Sequence, residues 1–148
     1  MNPMAQYNEV VFLFDVDNTL LDSDRVTADL KRHLENEVGS EGAECYWTIF
    51  EHLRSKRGYA DYLGALQRYR RKNPHDPRLL TVSRFLIDYP FANCLFPHSL
   101  EVLEAMKQWG PAVILSDGDV VFQPRKVERS GLFKAVNGNV LIYVQKEQ

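Results

Sequence analysis

The sequence predicts an α/β fold, a parallel sheet with crossover helices that is interrupted after its first strand by a helical stretch. Three observations carry that expectation. Val10 to Phe14 is a continuous β-branched and aromatic run, the composition of a strand buried on both faces of a parallel sheet. From Ser99 the pattern alternates helix, strand, helix, strand, as βαβ units do. Between the two lies a long stretch with helical periodicity and no strand signal.

After the first strand, Val26, Leu30, Leu34 and Val38 recur every fourth residue until Gly39, and Asp22, Ser23 or Asp24 is placed to cap that helix. Further helical segments centre on Tyr46, Ile49, Phe50 and Leu53 up to Gly58, on Tyr62, Leu63, Leu66 and Tyr69 before Pro74, and on Arg78 to Tyr89. Their aromatics Tyr46, Trp47, Phe50, Tyr59, Tyr62 and Tyr69 are expected in the bundle core, with one or two facing a substrate. "YPFANCLFPHS", with Pro90 and Pro97, reads as a connector. "SLEVLEAMKQWG" is a helix stopped by Gly110, "PAVILSDGD" a strand, "PRKVERSG" a helix ended by Gly131, and "NVLIYV" a strand.

At 148 residues, 45% hydrophobic and 26% charged, the composition is that of a soluble globular chain. A formal net charge of -2 supplies no field for a polyanion. The basic cluster Arg68, Arg70, Arg71 and Lys72 falls at a helix C-terminus, where positive charge favours the helix dipole, so no nucleic-acid partner is expected. Cys45 and Cys94 match no metal or redox spacing, and His33, His52, His75 and His98 show no ligand spacing. With no leader-like segment and no apolar run long enough for a membrane span, a cytoplasmic location and no membrane partner are expected.

Ligands of an open parallel sheet bind beyond the carboxyl ends of its strands. Asp15, Asp17 and Thr19 follow the first strand, Ser116, Asp117 and Gly118 the second, and Lys146 the third. Two carboxylates, a hydroxyl and an ammonium meeting there can hold a divalent cation and an anionic group. Repulsion between Asp15 and Asp17 is then relieved by a metal, or used to separate their pKa values.

"FDVDNTLLD", "VILSDGD" and the later lysine resemble, in order, the first three signatures of the haloacid dehalogenase-like superfamily of hydrolases. The resemblance implies a Rossmann-like three-layer sheet with an inserted helical cap, the core being residues 1–22 plus 96–148 and the cap residues 23–95. It implies a Mg²⁺-dependent phosphatase of a small phosphorylated molecule. Asp15 is then the nucleophile that forms an aspartyl-phosphate, and Asp17 the acid and base, its pKa shifted toward neutrality by the neighbouring carboxylate. Ser116 and the backbone N–H groups of Asp117 and Gly118 hold the phosphoryl group, Lys146 neutralises it, and Mg²⁺ binds the Asp15 carboxylate and the Asp17 carbonyl. Lys126 competes for the lysine role, but the sequence sets it on a solvated helix face.

The family's fourth signature, one or two acids beyond a further strand, would follow the lysine, and the sequence ends at Gln148. The sheet is therefore expected to be incomplete, with an apolar edge open to homo-oligomer formation. The rival reading is a catalytically impaired remnant that serves association.

Overall fold

A computed structural model describes residues 10–143. Three parallel strands, β1 (Phe12–Phe14), β2 (Ala112–Asp117) and β3 (Val140–Tyr143), form a sheet in the order β1-β2-β3. Phe14 pairs with Ile114, and Ile114 with Val140. Helices fill the connections: α1 (Ser23–Arg57), α2 (Tyr62–Lys72), α3 (Leu79–Asp88) and α4 (Ser99–Met106) lie between β1 and β2, and α5 (Phe122–Arg129) and α6 (Leu132–Ala135) between β2 and β3. The α/β class and its parallel sheet are as the alternating pattern predicts.

The helical stretch also follows its periodicity. Val26, Leu30, Leu34 and Val38 are buried along the first half of α1, and Tyr46, Ile49, Phe50 and Leu53 along the second. The halves are separated at Gly39, whose φ of 76° lies where only glycine sits without strain. Thr27, Lys31 and Glu35 from the first half line one cavity with Ala43, Trp47 and Glu51 from the second, so α1 folds back on itself. The expected connector contains one 3₁₀ turn, Phe91–Cys94, and Leu95 bridges to Leu21.

Rings join the helical stretch to the sheet. From His33 through Phe85, Tyr89, Phe91, Phe122, Tyr62, Phe50 and Trp47 to Tyr46, successive ring centroids lie 4.4 to 5.5 Å apart, within the range of favourable aromatic pairing. Phe122, at the start of α5, is the link: it touches Tyr62 of α2 and Phe91 of the 3₁₀ turn. Polar contacts add to it, Arg125 donating to the Ile87 carbonyl and to Asp88. That seating turns Gln123 and Lys126 of α5 inward, where both are buried.

One expectation is corrected. β1 is not buried on both faces. Phe14, Val140 and Ile142 pack against the core, whereas Val11, Leu13, Leu141 and Tyr143 are 53%, 60%, 45% and 48% exposed. Side chains alternate across a strand, so the helices cover one face of the sheet and leave the other, with the β1 edge, bare among the described residues.

Candidate active site

The turn after β1 explains how two acids two residues apart fit at a strand end. Val16, between them, is fully buried, and its carbonyl accepts the backbone N–H groups of Thr19, Leu20 and Leu21. With Val16 turned into the core, Asp15 and Asp17 line a common cavity. Asn18 closes the turn: at φ 55°, a conformation asparagine tolerates, its side chain accepts from the N–H groups of Ser23 and Asp24 and donates to the Asp24 carboxylate. The start of α1 is thereby tied to the acids.

The cavity measures 350 Å³, near the lower end of small-molecule sites. Asp15, Asp17, Asp117, Gln123 and Lys126 line it from the sheet side; Thr27, Phe50, Glu51, Arg54, Tyr59 and Tyr62 line it from the helical side. Thr19 does not line it.

Asp17 is held in this cavity by three side chains. One carboxylate oxygen accepts from Lys126 Nζ at 2.6 Å and from the Ser23 hydroxyl, and the other from Gln123 Nε2 at 2.9 Å. Burial pushes its pKa up, but the Lys126 charge and the hydrogen bonds from Lys126, Ser23 and Gln123 outweigh it, so the carboxyl titrates below its ordinary range. The expected shift toward neutrality is thus reversed, because the nearest charge is an ammonium. Nor is Lys126 on a solvated helix face: it is 3% exposed, paired to Asp17, and lies 5.1 Å from the Phe122 ring centroid. Lys146 lies outside the described residues.

Ser116 is fully buried at the end of β2, and its hydroxyl accepts from Gln123 Nε2 at 2.8 Å. Gln123 therefore bridges Ser116 to Asp17, which share no direct hydrogen bond. The Gly118 N–H, expected to meet a phosphoryl oxygen, donates to the Tyr143 carbonyl at 3.1 Å and extends the β2–β3 pairing. A Cβ at Gly118 would come 2.5 Å from Gln123 Cβ, so glycine is needed to seat that side chain. Asp119 accepts from the N–H groups of Val121 and Phe122 and anchors the start of α5.

Gln123, which lines the cavity and ties Asp17 to Ser116, is a residue that sequence reasoning missed. A glutamine in a polar helix carries no signature. The available clue was its place in the first turn after the strand bearing Ser116.

Asp15 and Asp117 supply carboxylate oxygens at the cavity, the donor type that Mg²⁺ prefers, and Mg²⁺ needs only one or two carboxylates beside water and substrate oxygens. The donor chemistry fits. Among the described residues, however, no three His, Cys, Asp or Glu groups are gathered closely enough to form a preformed metal cage.

A family model for haloacid dehalogenase-like hydrolases matches residues 10–147. The chain belongs to this family. A haloacid dehalogenase-like hydrolase from Burkholderia xenovorans LB400 is 61% identical, superposes with a TM-score of 0.89 over 93% of the chain, and is itself covered over 64% of its length. This member thus spans less than two thirds of that relative. Two more distant structures share the fold. A haloacid dehalogenase-like family hydrolase from Xanthomonas campestris has a TM-score of 0.59 at 17% identity, with 91% of this chain and 61% of that one covered. A hydrolase from Bacillus subtilis, bound to magnesium, has a TM-score of 0.55 at 18% identity, with coverages of 89% and 62%. No curated protein matches the chain. Among the described residues, no helix is long and apolar enough to cross a membrane.

Proposed function

We propose that this chain is a Mg²⁺-dependent phosphohydrolase that cleaves a small phosphate monoester through an aspartyl-phosphate on Asp15, with the helical stretch acting as a cap over the substrate. The observation that carries this reading is the joint placement of Asp15 and Asp17 at one strand end, in a cavity that also holds the Lys126 ammonium.

An Asp15 carboxylate oxygen attacks phosphorus as the bond to the ester oxygen breaks, and Asp17 delivers a proton to that leaving oxygen. Asp17 then takes a proton from water, whose oxygen attacks phosphorus. Inorganic phosphate leaves and the Asp15 carboxylate is restored. When bound, Mg²⁺ would neutralise charge on the phosphoryl oxygens, and the residues placed to hold it are Asp15, through its carboxylate, and Asp17, through its main-chain carbonyl, with Asp117 beside them.

The ion pair of Asp17 gives the cycle an entry condition. With Lys126 against it, the carboxyl is held ionised and has no proton to give. An arriving phosphate dianion offers Lys126 a second anionic partner, loosens its hold on Asp17, and allows that carboxyl to protonate. Gln123 and Ser23 keep the carboxyl in place during the exchange.

Release of phosphate from p-nitrophenyl phosphate with Mg²⁺ tests the proposal, together with acid-quench trapping of phosphoenzyme. Asp15→Asn should lose both while its circular dichroism stays unchanged. Turnover equal to the wild type in that variant would reject the assignment.

A further inference from the structure

The cavity is lined by charges of both signs. Asp15, Asp17, Asp24, Glu51 and Asp117 line it against two cations, Lys126 and Arg54. Lys126 is paired with Asp17. Arg54 belongs to the last turn of α1, on the helical side, and its main-chain carbonyl receives the N–H of Gly58, which ends the helix. Among the described residues its guanidinium makes no hydrogen bond or ion pair, not even with Glu51 one turn earlier. Six other arginines are engaged, Arg25 with the Asn93 carbonyl, Arg32 with Asp29, Arg57 with Asp61, Arg78 with Asp76, and Arg125 and Arg129 with Asp88; what sets Arg54 apart from the remaining ones is that it lines the cavity.

We propose that Arg54 selects substrates that carry a second anionic group, a carboxylate or a second phosphate, at the end away from the scissile ester. The inference rests on the phosphohydrolase reading and deepens it. A monoester held only by its reacting phosphate would leave its far end among Glu51, Phe50 and Tyr59, where a neutral tail gains apolar contact but no charge pairing. An anionic tail gains the forked guanidinium, whose paired donors match carboxylate and phosphate geometry. The 350 Å³ volume limits the tail to a short one. Glu51, beside Arg54 on the helix, disfavours an anion that fails to reach the guanidinium and favours a hydroxyl or ammonium on the same tail.

Non-hydrolysable phosphonates measure this without turnover. In Mg²⁺ buffer, calorimetry compares propylphosphonate with 3-phosphonopropionate and with propane-1,3-diphosphonate. The wild type should bind at least one of the anionic-tailed probes about tenfold or more tightly than propylphosphonate, and the tighter of the two identifies carboxylate or phosphate as the second anion. In Arg54→Gln the ratio of dissociation constants should fall toward one, and Arg54→Lys should keep part of it. Equal affinities for all three probes in the wild type would overturn the role of Arg54 while leaving the phosphohydrolase reading intact. So would a preference that survives in Arg54→Gln. Failure of every phosphonate to bind, together with no release from p-nitrophenyl phosphate, would remove both.

Discussion

Lys126 and Asp17 can be separated by a double-mutant cycle, with Asp17→Asn, Lys126→Met and the pair measured by urea denaturation at pH 7. The lysine side chain is 4% exposed and the aspartate side chain 35%. Removing one member of a buried ion pair costs about 3–5 kcal/mol. Asp17→Asn leaves the buried ammonium a neutral amide oxygen and the Phe122 ring in place of a carboxylate, and should cost about 3 kcal/mol. Lys126→Met preserves much of the apolar stem and leaves the carboxylate with Ser23, Gln123 and some solvent, so its cost should be nearer 2 kcal/mol. The double variant should lose about 3 kcal/mol rather than the roughly 5 expected of independent changes, a coupling of about 2 kcal/mol. An exposed pair would couple by about 0.2–1 kcal/mol. The pH dependence fixes the sign. A depressed carboxyl pKa stabilises the fold above its unfolded value and loses that contribution as pH falls through the folded one. The advantage of the wild type over Lys126→Met should therefore hold from pH 8 to 5 and shrink below about pH 4. Additivity within about 0.5 kcal/mol at pH 7, or an advantage that grows in acid, would refute the pairing.

Gly118→Ala should displace Gln123 and lower stability by about 1–3 kcal/mol, because the new methyl overlaps the Gln123 Cβ; a midpoint within error of the wild type would contradict that packing. Gln123→Ala removes the donor shared by Asp17 and Ser116, and in the same titration should cost about 1–3 kcal/mol. Tyr46→Phe deletes the hydroxyl that donates to the Tyr62 carbonyl at 2.9 Å, at about 1 kcal/mol. Self-association through the β1 edge, expected from the sequence, should appear in sedimentation velocity as a concentration-dependent shift that Leu13→Lys diminishes.

Much of the architecture was legible because the sequence separates its periods cleanly. Gly39, Gly58 and Pro74 punctuate helices whose buried residues recur at helical spacing, and the run into Asp15 announces a strand with a site at its end. The bare face of β1 was not legible, since an apolar strand reads alike whether one face is covered or two. The second half of the site was hidden for another reason. Phe122, Gln123, Lys126 and Val127 form the buried stripe of α5, but two of the four are polar, so hydropathy assigned Lys126 to solvent. Those residues are inside because Asp17 and Ser116 satisfy them, a cross-chain pairing that no local pattern encodes. The same pairing reversed the expected pKa shift of Asp17.

That pairing also sets a clock. Asp17 is joined to Gln123 across 106 residues of chain and to Lys126 across 109. At the usual pace of translation, about 5–20 residues per second, the partners are synthesised roughly 5–20 s after the aspartate. Throughout that interval the nascent polypeptide carries Asp17 without the ammonium and the amide that hold it in the folded chain, so this corner of the fold cannot close before α5 has been made.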